Sequence, residues 1–431
     1  MRFLLLLLFS ALAISLGAQT PSFKKSPSLL ESTSAPQSAG MHPARLARID
    51  AMCESALADG DVPGMVALVV RDGRIVYHKA FGMADSESGR KMKPDDIFRI
   101  ASQTKAITST AVMMLWEEGK FRLDDPISKY IPEFKNPQVL QSFRYNDTSY
   151  TTVPAKSEIT IRQLLTHTAG LGYGFIDGDE RMKMIYQKAG IIDAFTLDPI
   201  RIGDNVKKLA QLPLHFHPGE QYRYSEGLDV LGYFVEIISG MPFDQFLQSR
   251  IFQPMGMNDT YFYLPEAKAS RLVSVQMPSE GKWVKVAGVG NVVNFPIEGA
   301  KTFFSGGAGL CSTAKDYATF LQMYLNGGEL KGTRILSRTT IASMMANQTG
   351  DLFTDKDRYY GLAFGVLNEQ GHASGGKGSV GTFDWGGYFN TSYFADPKER
   401  IIGVLMKQTM YQRGDDTGWQ FRMLVEQAVD D

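Results

Sequence analysis

The stretch Arg99-Ile100-Ala101-Ser102-Gln103-Thr104-Lys105-Ala106-Ile107-Thr108 decides how this chain of 431 residues is interpreted. It contains the tetrad Ser-x-x-Lys at positions 102–105. Residues three apart on a helix share a face, so Lys105 can reach the hydroxyl of Ser102 if the segment is helical. A serine becomes an effective nucleophile when a neighbour takes its proton, and a lysine can do this. Ser102 is therefore the candidate nucleophile and Lys105 its candidate base.

The sequence after the tetrad predicts a buried helix over residues 106–118. Apolar side chains recur along it at Ile107, Val112, Met113, Met114 and Leu115. Such a helix would hold the Ser102–Lys105 pair away from water. The positive end of its dipole would lie near the serine, where an oxyanion develops during acyl transfer.

Composition excludes several classes of protein. The formal net charge is −1 and no basic tract occurs, so we expect no nucleic-acid partner. There is no Gly-x-Ser-x-Gly, so the nucleophile elbow of α/β-hydrolases is absent. His215-Phe216-His217 has no carboxylate or third histidine at ligand spacing, which favours a loop over a metal site. Cys53 and Cys311 lie outside any Cys-x-x-Cys, and we favour two buried free thiols. No metal or organic cofactor is expected.

The first residues predict export. The positive start Met1-Arg2 precedes an apolar run, Phe3–Leu16, and a plausible cleavage site at Leu16-Gly17-Ala18. We expect a signal peptide over residues 1–18 and a periplasmic or secreted protein without a stable membrane span. The content of Ser, Pro and Lys predicts a flexible leader over residues 19–43.

Strand-like sequence lies at both ends of the chain. Gly64–Val70 and Arg74–Phe81 flank Arg71-Asp72-Gly73, and Asp-Gly between apolar runs is a strong hairpin signal. Further strand patterns follow Tyr360. Hairpins at both ends predict one mostly antiparallel sheet, flanked by the N- and C-terminal helices.

The middle of the chain is dominated by helical patterns, apart from residues 135–158, which are polar and irregular. We therefore expect an α/β (α+β) domain over residues 44–431. Its sheet lobe would come from about residues 44–95 and 305–431, and its helical insert from about residues 96–304. A cleft between two such lobes is a natural place for an active site.

Two further groups extend the candidate site. Tyr224 is a candidate general base, since an adjacent ammonium stabilises a phenolate. The run Phe383-Asp384-Trp385-Gly386-Gly387-Tyr388 has two glycines in a strand-rich region. Glycine weakens a strand unless something must approach the backbone closely. A substrate carbonyl docking on the Tyr388 N–H and a simple bulge would each explain them.

Taken together, these motifs resemble those of the serine β-lactamase and penicillin-binding superfamily, class C in particular. The matching elements are Ser-x-x-Lys at 102–105, Tyr224-Ser225-Glu226 and Trp385-Gly386-Gly387. Within that superfamily the chain most resembles the family VIII carboxylesterases. Leu164–Leu171 and Asp124-Asp125-Pro126 also resemble characteristic segments, and the similarity covers roughly residues 45–428.

The resemblance implies the fold described above and a role for each group. Ser102 would attack, while Lys105 and Tyr224 would take its proton. The N–H groups of Ser102 and Tyr388 would hold the oxyanion. Gly386 and Gly387, with Trp385 and Glu226, would complete the substrate-binding wall.

Two departures from the class C pattern bear on the substrate. Glu226 stands in place of an Asn and Trp385 in place of a Lys. An acid and an indole disfavour the carboxylate of a β-lactam and favour a neutral, apolar ester. We expect hydrolysis of short-chain carboxylic esters. The sequence leaves open a β-lactamase or D-Ala-D-Ala carboxypeptidase, an acyltransferase, and an inactive binding protein, and it does not fix the oligomeric state.

Overall fold

The computed structural model describes residues 30–33, 35–286, 291–330, 332–411 and 414–431. The predicted signal peptide and the first part of the predicted leader lie outside these residues. Strands in the described part are β1 (Glu31–Ser32), β2 (Gly64–Arg71), β3 (Arg74–Asp85), β4 (Arg90–Lys91), β5 (Phe98–Arg99), β6 (Gln138–Phe143), β7 (Tyr150–Pro154), β8 (Gln276–Ser279), β9 (Lys282–Lys285), β10 (Cys311–Ser312), β11 (Glu329–Leu330), β12 (Thr333–Arg334), β13 (Arg358–Tyr360), β14 (Gly365–Leu367), β15 (Phe383–Gly387), β16 (Thr391–Asp396) and β17 (Ile401–Met406). Helices are α1 (Pro43–Leu46), α2 (Arg48–Ala58), α3 (Thr104–Glu117), α4 (Ile161–Leu165), α5 (Glu180–Lys188), α6 (Ile202–Leu209), α7 (Gly227–Ser239), α8 (Phe243–Leu247), α9 (Gln253–Met255), α10 (Glu266–Ala269), α11 (Phe295–Glu298), α12 (Ala314–Leu325), α13 (Arg338–Met345), α14 (Glu369–Ala373) and α15 (Thr417–Glu426).

The main sheet joins the two ends of the chain, as the sequence predicts. Its strand order is β1-β3-β2-β17-β16-β15-β14-β13, and β17 pairs antiparallel with β2. Apart from the short parallel pair β1–β3, the neighbours along this order run antiparallel. Asp72 and Gly73, at the β2–β3 turn, both have positive φ, the geometry that two-residue hairpins require.

The strand β2 is buried on both faces because each face of the sheet is covered. Met65, Ala67 and Val69 belong to a core formed with α2 and α15, the predicted N- and C-terminal helices. Val66 and Leu68 point the other way, into the large core shared with the helical part of the molecule. Alternation along one strand thus separates the two cores.

The helix α3 is the buried central helix that the sequence predicts. Its residues from Thr104 to Leu115 are all buried. A 3₁₀ turn over Ala101–Gln103 leads into α3. The helix α3 packs against α7, which also contacts α4. The tetrad at 102–105 therefore lies at the start of a helix surrounded by protein.

Residues 135–158 differ from the irregular segment expected there, because β6 and β7 form an antiparallel hairpin. Val139 is buried while Gln141 and Ser142 are exposed, so only a few apolar residues face the protein. A short hairpin with one thin apolar face gives a weak periodic signal. The helical part also contains the hairpin β8–β9.

Part of the predicted flexible leader belongs to the folded structure. The strand β1 pairs with β3, and Leu30 just before it is buried in the large core. A 3₁₀ turn follows at Pro36–Ala39. Composition does not reveal this ordering, because it depends on one buried leucine and on the free edge of β3. Within the described residues, no helix is long and apolar enough to cross a membrane.

Candidate functional site

Ser102 and Lys105 lie together at the start of α3. The Nζ atom of Lys105 lies 3.3 Å from Ser102 Oγ and donates a hydrogen bond to the Gly307 carbonyl oxygen at 2.8 Å. Lys105 is only 2% exposed. Ala101, directly before the serine, has a φ of +43°, which L-residues rarely adopt outside constrained sites. The predicted nucleophile–base geometry is therefore present, next to a strained backbone residue.

A buried carboxyl group, which the sequence did not single out, supports Lys105 from behind. Asp229 on α7 accepts hydrogen bonds from Ser305 Oγ at 2.6 Å and from the Gly307 N–H at 3.1 Å. Burial raises the pKa of Asp229. Asp229 thus fixes the loop whose Gly307 carbonyl accepts the hydrogen bond from Lys105 Nζ. The only feature of the sequence that pointed to this loop was the glycine-rich run at 306–309.

Tyr224 completes the cluster. Its ring centroid lies 4.5 Å from Lys105 Nζ, and its hydroxyl accepts a hydrogen bond from Trp385 Nε1 at 3.3 Å. The ring also lies 5.7 Å from that of Tyr173. The structure therefore brings together groups from all three motifs, as the sequence predicts.

These residues surround a cavity of about 290 Å³. Its lining consists of Ala101, Ser102, Tyr173, Phe175, Ile176, Ala194, Phe195, Tyr224, Ala308, Trp385, Gly386 and Tyr388. This lining contains no Asp, Glu, Lys, Arg or His. The serine hydroxyl therefore opens into an apolar, largely aromatic space.

The two glycines of the third motif have different neighbours. Gly386 lines the cavity. At Gly387, an added Cβ would lie 2.5 Å from the Ile100 carbonyl oxygen and 2.3 Å from Thr391 Oγ1. The close approach that the glycine allows is thus that of the backbone leading to Ser102. Tyr388 follows at the cavity mouth, with its side chain 42% exposed.

Glu226 does not line the cavity. It lies at the start of α7, 0% exposed, and its carboxyl group contacts that of Asp193 at hydrogen-bonding range. The pKa of Glu226 is raised well above its ordinary value, mainly by burial and next by the neighbouring Asp193. The sequence placed Glu226 against the substrate because it follows the Tyr224 motif, but its side chain points into the protein behind the cavity wall.

Part of the cavity wall was not predicted. Tyr173, Phe175 and Ile176 come from a loop between α4 and α5, and Ala194 and Phe195 from the segment before α6. Aromatic residues within a glycine-rich run at 170–175 were the available signal. Because these wall residues lie far along the chain from the three motifs, the sequence did not indicate that they line the cavity.

No histidine or cysteine lines the cavity. Nδ1 of buried His167 accepts the Ser225 N–H at 3.2 Å, and burial lowers the pKa of this imidazole. Nε2 of His215 lies 3.0 Å from Asp177 Oδ2. No group of three potential metal ligands occurs in the described residues. Cys53 and Cys311 are buried and free.

Known proteins are similar to this chain over most of its length. A model of the Beta-lactamase family matches residues 49–427. The esterase EstB of Burkholderia gladioli is 32% identical over 385 residues, which cover 85% of this chain and 91% of EstB. The lovastatin esterase of Penicillium rubens is 31% identical over 376 residues, covering 83% of this chain and 91% of that enzyme.

A solved structure gives the same picture. EstCE1, described as a hydrolase with promiscuous acyltransferase activity, superimposes with a TM-score of 0.75 at 27% identity, covering 90% of this chain and 99% of EstCE1. The family match and the esterase relatives each span most of the sequence. This protein therefore belongs to the Beta-lactamase family, within the superfamily of serine β-lactamases and penicillin-binding proteins and on its esterase-like side.

Proposed function

We propose that this protein hydrolyses short-chain carboxylic esters through an acyl-enzyme on Ser102. The observation that carries the proposal is the cavity of about 290 Å³, whose lining contains no acidic or basic side chain in front of Ser102. An ester acyl group gains apolar burial there. The carboxylate of a β-lactam would enter without a cationic partner at Trp385, and an unpaired charge in such a site is costly.

In the proposed reaction, Ser102 Oγ attacks the ester carbonyl carbon while its proton passes to Lys105 Nζ. The N–H groups of Ser102 and Tyr388 stabilise the oxyanion. The C–O bond of the ester breaks, and the alcohol leaves with the hydroxyl proton of Tyr224, which regains a proton from Lys105. A water molecule then attacks the acyl carbon as its proton passes to Lys105. That proton returns to Ser102 Oγ when the acyl-enzyme bond breaks, which releases the acid and free Ser102.

A substrate panel tests the proposal. We expect p-nitrophenyl esters of about C2 to C6 to be the best substrates, given the size of the cavity, and nitrocefin to be poor. Ser102→Ala should lose this activity, and a fluorophosphonate should label Ser102. Faster hydrolysis of nitrocefin than of p-nitrophenyl butyrate, or labelling at another serine, would contradict the proposal.

Trp385→Lys tests the basis of the specificity. A lysine there would offer a cation to an anionic substrate, so the ratio of nitrocefin to ester kcat/KM should rise roughly tenfold. The ratio is the informative measurement, because loss of the indole N–H near Tyr224 affects both substrates. Trp419→Lys, at an exposed indole outside the cavity, is the matched control. An unchanged ratio would mean that Trp385 does not select against β-lactams.

We also propose export, on the basis of the predicted signal peptide over residues 1–18. N-terminal sequencing of protein recovered from outside the cytoplasm should begin after Ala18. Recovery of the chain only in the cytoplasm with Met1 retained would contradict export.

A further inference from the structure

The loop at 172–175 forms one wall of the cavity, and side chains hold its backbone at each successive N–H. The Gly172 N–H donates to Tyr186 Oη at 3.3 Å, and the Tyr173 N–H to Asp177 Oδ2 at 3.2 Å. Those of Gly174 and Phe175 both donate to the carboxylate of Asp193, the first at 2.9 Å. This loop carries Tyr173 and Phe175 into the cavity.

Asp193 is therefore the main anchor of the loop, and Glu226 lies directly behind it. The Glu226 N–H donates to the Gly172 carbonyl oxygen at 3.1 Å, so its backbone also holds the loop. Both carboxyl oxygens of Glu226 are buried, and neither receives a hydrogen bond from any N–H or O–H group of the described residues. Their polar contact is the carboxyl group of Asp193. Two carboxyl groups at this range are compatible only when a proton lies between them.

We propose that Glu226 is a positioning residue, whose neutral carboxylic acid donates a hydrogen bond to the Asp193 carboxylate and so holds the 172–175 loop against the cavity. The inference rests on the proposed esterase function and specifies how this chain maintains its acyl-binding wall.

The surroundings place the proton on Glu226. The carboxyl oxygens of Asp193 already act as acceptors for two backbone N–H groups. Glu226 has no such donors and is completely buried, which favours its neutral form. The titratable and charged groups that act on Glu226 or are affected by it are Asp193, Asp229, Lys105, Tyr173 and Tyr186. Only Lys105 among them favours ionisation of Glu226, and the raised pKa of Glu226 agrees with the balance.

The pair of variants Glu226→Gln and Glu226→Met tests this role in the full-length protein. Both keep the length of the side chain, but only the Gln amide can donate to Asp193. With p-nitrophenyl esters at pH 6, we expect Glu226→Gln to remain within about threefold of the wild type and Glu226→Met to raise KM about tenfold or more, with a smaller change in kcat. Glu266→Gln, on the exposed helix α10, is the control. Equal kinetics for the Gln and Met variants would overturn the proposal.

The pH dependence of stability provides a second test that needs no substrate. Because the pKa of Glu226 is raised in the folded state, its contribution to stability is fully present below the ordinary carboxyl pKa and is lost as the pH rises through the raised value. The melting temperature of the wild type should therefore fall with rising pH relative to that of Glu226→Gln. Parallel curves would overturn the proposal even if the enzyme hydrolyses esters. Diverging curves without esterase activity would contradict only the proposed function.

Discussion

At the scale of single residues, the proposed chemistry depends on where Lys105 Nζ is held. The Gly307 carbonyl fixes it from one side and Ser102 Oγ lies on the other. Asp229 holds the Gly307 loop in turn. Because Lys105 Nζ contacts both the Gly307 carbonyl and Ser102 Oγ, it is already positioned to exchange a proton with Ser102. A mobile surface lysine would have to be ordered first.

Ser102→Ala and Lys105→Ala should each remove nearly all activity, because the two side chains act as one unit. The double variant should then lose little more than either single variant. Steady-state kcat/KM for p-nitrophenyl butyrate gives the comparison, with circular dichroism as the check on folding. Additive losses would mean that Lys105 only supports the structure.

Tyr224→Phe keeps the ring beside Lys105 and removes only the hydroxyl. If Tyr224 carries the proton, kcat should fall by roughly 10²–10⁴-fold. Trp385→Phe is the matched variant, since it keeps an aromatic wall and removes the N–H that Tyr224 accepts. We expect a much smaller loss for Trp385→Phe. An unchanged rate for Tyr224→Phe would remove this tyrosine from the mechanism.

At the scale of elements, the site is formed where β15 passes the turn before α3. Gly387 permits that passage, because a Cβ there would meet the Ile100 carbonyl oxygen at 2.5 Å. A helix start and a strand end from distant parts of the sequence thereby define one cavity. The spacing between them sets where the Tyr388 N–H lies relative to Ser102.

Gly387→Ala should force β15 away from Ile100. We expect a loss of stability of about 1–3 kcal/mol, as for other overpacked sites, together with a large loss of activity. Gly178→Ala is the control, since a Cβ there would have no heavy atom within 4 Å. Thermal unfolding and ester hydrolysis measure both effects. Equal stability of the two variants would show that β15 can shift without cost.

The cavity mouth is bounded by one aromatic residue from each side. Phe175, from the helical part, and Tyr388, after β15, make an edge-to-face contact with their centroids 5.7 Å apart. Phe175→Ala should open the mouth and move the preferred acyl chain toward greater length, since each added methylene can then find apolar surface. Tyr145→Ala, at an exposed aromatic in the β6–β7 hairpin, is the control. The same optimal chain length for Phe175→Ala and wild type would exclude this role.

At the scale of the whole molecule, the two cysteines lie in two separate hydrophobic clusters. Cys53 lies in the core between the sheet and the terminal helices, and Cys311 in a small cluster beside the helical part. Burial raises the pKa of each thiol to about 12, so neither forms a reactive thiolate at neutral pH. A thiol reagent should find no reactive cysteine in the folded protein and two after denaturation. Rapid reaction of either thiol under native conditions would contradict this packing.

Much of the fold could be predicted from local pattern. The Asp72-Gly73 hairpin, the buried helix after Lys105 and the two-ended sheet follow from turn chemistry and periodicity. The β6–β7 hairpin and the pairing of β1 were missed, since both depend on edge contacts and few apolar residues. The placement of Glu226 was also wrong, because adjacency to Tyr224 in sequence does not fix which way a side chain points at a helix start.

The sequence by itself predicted the candidate reacting groups, because the spacing of Ser102 and Lys105 on one helical turn is a local property, and the family motifs supplied Tyr224 and Trp385. Only the tertiary structure decided their surroundings. It shows that the Gly307 carbonyl binds Lys105 while Asp229 holds the Gly307 loop. It also shows that Phe175 and Tyr388 bound the cavity and that Glu226 lies behind the cavity wall beside Asp193. These partners come from distant segments, and whether a carboxyl group meets solvent, a cation or another acid depends on how those segments pack.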